Sequence, residues 1–341
     1  ATQPDMILLD IMMPVMDGFE MLRRLKADPD WRDIPVVIIS AMSDMASVAR
    51  GIELGAEDYM PKPFDPTILK ARLSAGLLRK QLHDMEKAYL HSMEKELEIG
   101  HEIQLSFLPQ ALPEVPGWEI AASLEAAREV AGDFYDVFET GQHICIVIGD
   151  VCDKGVGAAL FMTLFRSLLR FTITAETIVD TFTAAEKLKH AVTLTNNYVA
   201  TIHGETGMFA TLFIGLLEPE SGNLSYVNAG HDRPILIPGN GAEQQELAST
   251  GIPVGMIEDW EYATAEIVLQ PGDRLFAYTD GVPEATDSAE NFFGKDRLFE
   301  FLWHGGHSPA KLLKEINMTI RDFIGNARQF DDITMVVVQR S

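Results

Sequence analysis

Over the first 66 residues, short apolar runs at 6–9, 35–39 and 59–60 alternate with helical patterns at 18–25 and 46–54. That rhythm predicts a parallel sheet with crossover helices. Between Pro66 and Leu105 no further proline and no strand-like run occurs, and Leu78, Leu82, Met85 and Tyr89 recur at alternating spacings of four and three. One long helix is expected, with a coiled-coil seam suited to a second copy of the chain. Ser92 and Glu96 fall on the same seam and weaken it. Phe107, Leu108 and Pro109 stop the helix, and Pro113, Pro116 and Gly117 mark a domain boundary. Beyond Trp118, short strand patterns at 119–122, 143–148, 209–217, 223–228, 234–238, 273–278 and 334–339 are broken by helical stretches at 157–174, 178–203 and 309–324. Strands interrupted by grouped helices predict an α+β domain. The expected division is therefore 1–66, α/β; 67–108, a helical connector; and 109–341, α+β.

A chain of 341 residues exceeds what one core usually serves, which agrees with that division. The net charge of -24, from 51 acidic and 27 basic residues, repels nucleic acid phosphates and anionic lipid and excludes a DNA-binding output. It suits a protein that gathers divalent cations. Cys145 and Cys152 lie in an apolar stretch without zinc or disulfide spacing and read as reduced, buried thiols of a cytoplasmic protein. No apolar run reaches the roughly 18 residues of a membrane span. The sequence begins at Ala1 with no initiator methionine, so residues are expected to be missing ahead of it.

In the first segment, the strand ending at Asp10 is followed by a loop with Pro14, Asp17 and Gly18; the next strand ends at Ser40 and the third leads to Lys62-Pro63. The carboxyl ends of parallel strands form a ligand crevice, so a carboxylate, a hydroxyl and an ammonium would meet there. Any one of them alone reads as a turn or a solvated residue. Together they suit phosphoryl transfer to a carboxylate, with Asp10 as nucleophile, Lys62 countering charge and Ser40 bonding a phosphoryl oxygen. The segment resembles the receiver domain of two-component response regulators, a flavodoxin-like α/β fold. The resemblance implies that Asp10 is phosphorylated by a sensor histidine kinase, that Tyr59 is the switch aromatic, and that an intact receiver holds Mg²⁺. It also implies that the first strand and the acidic pair binding that ion are lacking. This piece is thus expected to expose the edge of residues 5–9 and to resist phosphorylation.

The strongest signal is four acidic clusters: Asp133 and Asp136 in Arg128-Glu-Val-Ala-Gly-Asp-Phe-Tyr-Asp, Asp150 and Asp153 in Gly149–Gly155, Asp280 in Tyr278-Thr-Asp-Gly281, and Asp331-Asp332. A lone Asp-Gly pair is turn chemistry. Three of these clusters, however, adjoin apolar strands. Carboxylates gathered there without basic partners repel one another, which a divalent cation relieves. Hard oxygen donors suit two Mg²⁺ or Mn²⁺ ions, and in-line hydrolysis of a phosphate ester follows.

These stretches, with Phe107-Leu-Pro109, residues 209–213 and Asn228-Ala-Gly-His231, resemble the SpoIIE and RsbU-type branch of metal-dependent Ser/Thr phosphatases, whose fold is a β-sandwich between helical layers. The resemblance implies that Asp150 bridges both metals and the Val151 carbonyl completes one site. Asp280 and Asp331 would hold the other metal, with Asp332 the alternative to Asp331. Asp133 would act at the second metal or in the outer shell, Arg128 as a phosphate clamp. His231 reads as structural or peripheral. The implied substrate is a phosphoprotein, an anti-sigma-factor antagonist, and the implied assembly a homodimer. The alternative is a non-catalytic regulator with a degenerate phosphatase domain, against which the retained acids speak. A phosphodiesterase or cyclase would need a Gly-rich cradle or basic pocket that the sequence lacks.

Overall fold

The computed structural model describes residues 4–41, 45–175, 182–304 and 308–341. The chain divides into two units, Ala1–Glu96 and Leu97–Ser341. In the first, β1 (Ile7–Asp10), β2 (Val36–Ala41) and β3 (Asp58–Lys62) form a parallel sheet in that order, with α1 (Gly18–Ala27) and α2 (Met45–Glu53) as the crossovers. Leu9, Phe19, Leu22, Val36 and Ile38 make its core. The Asp17 carboxylate caps α1 by accepting the Glu20 amide at 2.8 Å. Among the described residues β1 pairs with β2 alone, so its other edge is unpaired, as expected.

A single helix, α3 (Pro66–Phe107), follows, and the division between the units falls inside it. Leu78, Leu82, Met85 and Tyr89 are all exposed along it. Past Ser92 and Glu96 the same spacing resumes at Ile99 and Ile103, also exposed.

The second unit is a sandwich of two antiparallel five-stranded sheets. One sheet runs β11-β8-β7-β6-β5 and the other β10-β9-β12-β13-β4. Its strands are β4 (Trp118–Glu125), β5 (Phe134–Thr140), β6 (His143–Val151), β7 (Ala210–Leu217), β8 (Asn223–Ala229), β9 (Ile235–Ile237), β10 (Gln245–Glu246), β11 (Ala265–Val268), β12 (Arg274–Tyr278) and β13 (Ile333–Arg340). The helices are α4 (Val156–Thr174), α5 (Ala184–His203), α6 (Lys295–His304) and α7 (Pro309–Ile324).

Strand periodicity explains the layering. Ile144, Ile146 and Ile148 of β6 enter the core between the sheets, while Cys145, Val147 and Val151 face α4 and α5. Likewise Val336 and Val338 of β13 face the sandwich interior, and Ile333, Met335 and Val337 meet α6 and α7. Both faces of each central strand are buried, which is why these strands read as continuous apolar runs.

Helix α4 is long and apolar enough, by length and composition, to cross a membrane, although Thr163, Arg166, Ser167 and Arg170 break it into shorter apolar runs. Its buried positions Ala158, Met162, Phe165, Leu169 and Ile173 follow helical spacing and pack against the sheet. The expected helix start at residue 178 lies outside the described residues; α5 begins after Thr183, which forms a capping box with Glu186. Cys145 is buried, but Cys152 is only partly so, its Sγ accepting the Phe209 amide at 3.2 Å. Strand β5 lies where the sequence shows an acidic motif and no strand pattern.

That strand was hidden by Asp136, which is 1% exposed and lies between Arg166 (3.0 Å) and Arg170 (2.8 Å) of α4. Burial raises the Asp136 pKa and lowers that of Arg166 despite their contact. Desolvation therefore outweighs attraction, and the pair fixes where α4 sits more than it stabilises. Asp136→Ala, which strands Arg166, should cost about 3–5 kcal/mol in urea unfolding, whereas Asp136→Leu with Arg166→Met should cost far less; equal losses would show that the ion pair itself carries the stability.

Candidate functional site

In the first unit, Asp10 ends β1, Ser40 is next to last in β2 and Lys62 ends β3. The register sets Asp10 beside Ile39 and Ser40 beside Pro61, so the three groups share the carboxyl end of the sheet. The Lys62 ammonium donates to the Asp10 carboxylate, which also accepts the Met12 amide at 3.2 Å. These bonds, that from Lys62 foremost, hold the Asp10 carboxyl below its usual range. Ser40 is buried. Tyr59 is half-buried, with the Arg72 guanidinium 5.8 Å from its ring centre.

In the second unit, antiparallel pairing brings the remaining acids together. Asp133 precedes β5 and Asp150 is next to last in β6, and these strands pair with Phe134 opposite Gly149. Asp280 follows β12 and Asp331 precedes β13, which pair with Tyr278 opposite Met335. Each sheet thus delivers two carboxylates to one end of the sandwich. The Thr279 hydroxyl bridges the sheets, donating to Asp133 Oδ2 at 2.7 Å and accepting the Thr334 amide at 3.0 Å. Close approach here requires glycine: a Cβ on Gly281 would collide with the Asp332 carbonyl oxygen.

Burial and mutual repulsion govern this cluster. Burial, then the charges of Asp280 and Asp331, push Asp150 up to about 7, and Asp133 and Asp150 share a hydrogen bond. Burial, then Asp331 and Glu284, push Asp280 up to about 6. Asp133, 2% exposed, is raised well above the carboxylate range by burial and by the charges of Asp150 and Asp332.

The adjacent acids Asp331 and Asp332 separate by role. Asp332 spends both oxygens on backbone, accepting the Ala127 and Gly132 amides at 2.7 Å each. Asp331 bonds the Lys154 ammonium at 2.7 Å; that ammonium also donates to the Phe330 carbonyl at 2.8 Å and lies over the Phe330 ring. One carboxylate of the group therefore does have a basic partner, which corrects the expectation of acids without one.

Asp136 and Asp153 of the four clusters turn away, Asp136 to α4 and Asp153 to solvent. Arg128 is exposed, with its guanidinium against Gly155 of the Asp150 loop. The Val151 carbonyl lies 3.1 Å from where a Cβ on Gly132 would sit. His231 is buried, its Nδ1 2.8 Å from Thr211 Oγ1 and its amide bonded to Asn228 Oδ1. Burial depresses it to about 4, so it is neutral, and Thr211 is the register partner of Asp150.

Sequence reasoning missed Thr279, Lys154 and Gln104. The first two sit beside named acids and were legible by adjacency. Gln104, on α3, is 7% exposed and exchanges two hydrogen bonds with Ala131: its Nε2 donates to the Ala131 carbonyl at 2.6 Å and its Oε1 accepts the Ala131 amide at 2.9 Å. Nothing in its sequence neighbourhood sets it apart from a solvated polar residue.

Among the described residues, no three His, Cys, Asp or Glu side chains already converge round one point as a finished ion site. In donor type, however, the group fits hard divalent cations: crowded carboxylate oxygens raised by burial and mutual charge, with one ammonium, that of Lys154, against Asp331.

The family model described as Stage II sporulation protein E (SpoIIE) matches residues 140–341, and that of the response regulator receiver domain matches residues 1–74. Protein IcfG of Synechocystis is 43% identical over 264 residues, covering 72% of this chain, which spans 42% of that protein's length. Phosphoserine phosphatase RsbU of Bacillus subtilis is 24% identical over 76% of this chain and 74% of its own. The SiaA-PP2C domain of Pseudomonas aeruginosa superposes with a TM-score of 0.62 at 21% identity, covering 74% of this chain and 99% of that one, which shows the fold. The sandwich, its helical layers and the matched residues together place the chain in the SpoIIE family, with a response-regulator receiver segment ahead of the family domain.

Proposed function

We propose that this chain is a protein phosphatase that hydrolyses phosphoserine or phosphothreonine in a partner protein, using two Mn²⁺ or Mg²⁺ ions, under the control of its receiver. The observation that carries the reading is the meeting of Asp133, Asp150, Asp280 and Asp331, from two sheets, at one end of the sandwich with their charges unbalanced. Likeness to the phosphoserine phosphatase RsbU supports the substrate class. An anti-sigma-factor antagonist is the proposed substrate, and the cytoplasm the proposed setting.

In this reading Asp150 would contribute to holding both ions, the Val151 carbonyl and Asp133 would help hold one, and Asp280 with Asp331 would help hold the other, Asp331 exchanging its Lys154 partner for the cation. Asp332 then holds the loop carrying Asp133, because its oxygens are spent on amides. The ions would supply Lewis acidity and a nucleophile at neutral pH. Arg128 orients the phosphoryl group with its forked donors. Lys154, freed from Asp331, adds positive charge at the same rim. Asp150→Asn should lower aryl phosphate hydrolysis by more than about a hundredfold, beyond the loss of an outer-shell partner. Because it removes a repelling charge, the metal-free variant should be at least as stable as wild type; retained activity at saturating Mn²⁺ would refute the assignment. No hydrolysis by the wild type at saturating Mn²⁺ would instead favour the alternative, a non-catalytic regulator that binds its partner.

The raised carboxyls also set a pH dependence. Asp150 and Asp280 keep protons in the folded state that the unfolded chain loses above about pH 4. The stability they contribute is full below that pH and is lost as pH rises through about 6 and about 7. Metal-free protein should therefore melt lower at pH 8 than at pH 5, on the order of 5 °C. Mn²⁺ should raise the melting temperature more at pH 8, since binding displaces those protons; an equal effect at both values would count against a carboxylate site.

For the receiver we propose Asp10 as the phosphorylated residue, fed by a sensor histidine kinase, with Ser40, Tyr59 and Lys62 as its switch and Mg²⁺ as the ion of an intact receiver. The three-part division 1–66, 67–108 and 109–341 belongs to the same reading, with the connector a coiled coil. The exposed seam from Leu78 to Tyr89, resumed at Ile99 and Ile103, supports a parallel homodimer. Light scattering should give twice the chain mass, and Leu82→Glu with Tyr89→Glu should halve it; a wild-type monomer at tens of micromolar would contradict the dimer.

A further inference from the structure

We propose that Gln104 is a positioning residue for the acidic centre: from the last turn of α3 it holds the loop between Ala127 and Asp133 where that loop presents Asp133 and backs onto the Val151 carbonyl. The inference rests on reading that centre as a divalent-metal site.

The loop has two sources of restraint. Asp332 takes the amides of Ala127 and Gly132. Gln104 takes what is left at Ala131, both its N–H and its C=O, as a neighbouring strand would. Ala131 is 2% exposed, so these groups have no ready substitute in water. Next in the chain, Gly132 packs on the Val151 carbonyl and on Ala158 of α4, and Asp133 is bound by Thr279. A shift of Ala131 is thus passed directly to one candidate ligand and to the wall behind another. Neighbouring contacts agree, since Gly100, one turn earlier on α3, faces Val130. An amide side chain donates and accepts at once here; a carboxylate would set an oxygen against the Ala131 carbonyl. Each residue of helical advance turns a side chain by about 100°, so the match holds at one rotational setting of α3. The connector's phase is therefore read at the metal loop.

The test uses the full chain with Gln104→Met, which keeps the volume and removes both bonds, and Gln104→Glu, which keeps one acceptor. Hydrogen exchange of the metal-free protein is followed by mass spectrometry, and Mn²⁺ binding by the loss of its free paramagnetic signal. In Gln104→Met, amides of 127–134 should exchange at least tenfold faster while those of β6 and β13 keep their rates. Half-saturation by Mn²⁺ should rise about tenfold, with KM for aryl phosphate unchanged; Gln104→Glu should fall between. Unchanged exchange at 127–134, or a uniform rise across the unit, would overturn the positioning role. Should wild type bind no Mn²⁺, the metal reading fails by itself, and the exchange measurement still decides whether Gln104 holds the loop.

Discussion

Repulsion among buried carboxylates is the constraint on which the second unit depends. Four acids meet at one end of a sandwich, where burial and their mutual charge raise Asp133, Asp150 and Asp280 and the Lys154 ammonium meets Asp331. At neutral pH the arrangement is poised, since about 7 for Asp150 lies within the working range. On the proposed reading, a divalent cation bound there would relieve that repulsion. The same physics explains the division between Asp331 and Asp332. Two adjacent acids cannot both point into the cluster, and the one facing backbone amides becomes part of the scaffold.

That scaffold is antiparallel pairing. The chain reaches the site at the start of β5, the end of β6, the end of β12 and the start of β13, and only antiparallel neighbours bring a start and an end together. The apolar runs of these strands supply the two-sided burial that keeps their ends fixed. Thr279, one residue before Asp280, ties the two sheets through Asp133 and the Thr334 amide. Catalytic geometry in such a design needs little from loops beyond the Ala127–Asp133 segment, which is why its restraint by Asp332 and Gln104 matters.

How much was legible in the sequence follows from this. Strands such as β6 and β13 announced themselves because both faces are apolar, and the acids at their ends stood out against them. Strand β5 did not, because Asp136 and Glu139 break its pattern and the compensating arginines lie on α4, thirty and thirty-four residues on. Helix α6 was missed because its buried stripe rests on Leu298 and Leu302 alone. The two polar residues Ser92 and Glu96 mask the resumption of the seam at Ile99 and Ile103. Lys154 stands beside Asp153 in the sequence, but its pairing with Asp331, 177 residues away, has no local signal, nor has that of Gln104 with Ala131, 27 residues away. In the first unit the three strand-end residues were legible together because parallel strands share one chemical end.

The central claim is that the cluster of Asp133, Asp150, Asp280 and Asp331 is a divalent-cation site. Crystals of the full chain grown with Mn²⁺ and measured at the manganese absorption edge test it most directly. The account predicts two anomalous peaks among these carboxylates, with Asp150 touching both and Lys154 moved off Asp331. Peaks elsewhere, or none while Lys154 still bonds Asp331, would contradict it.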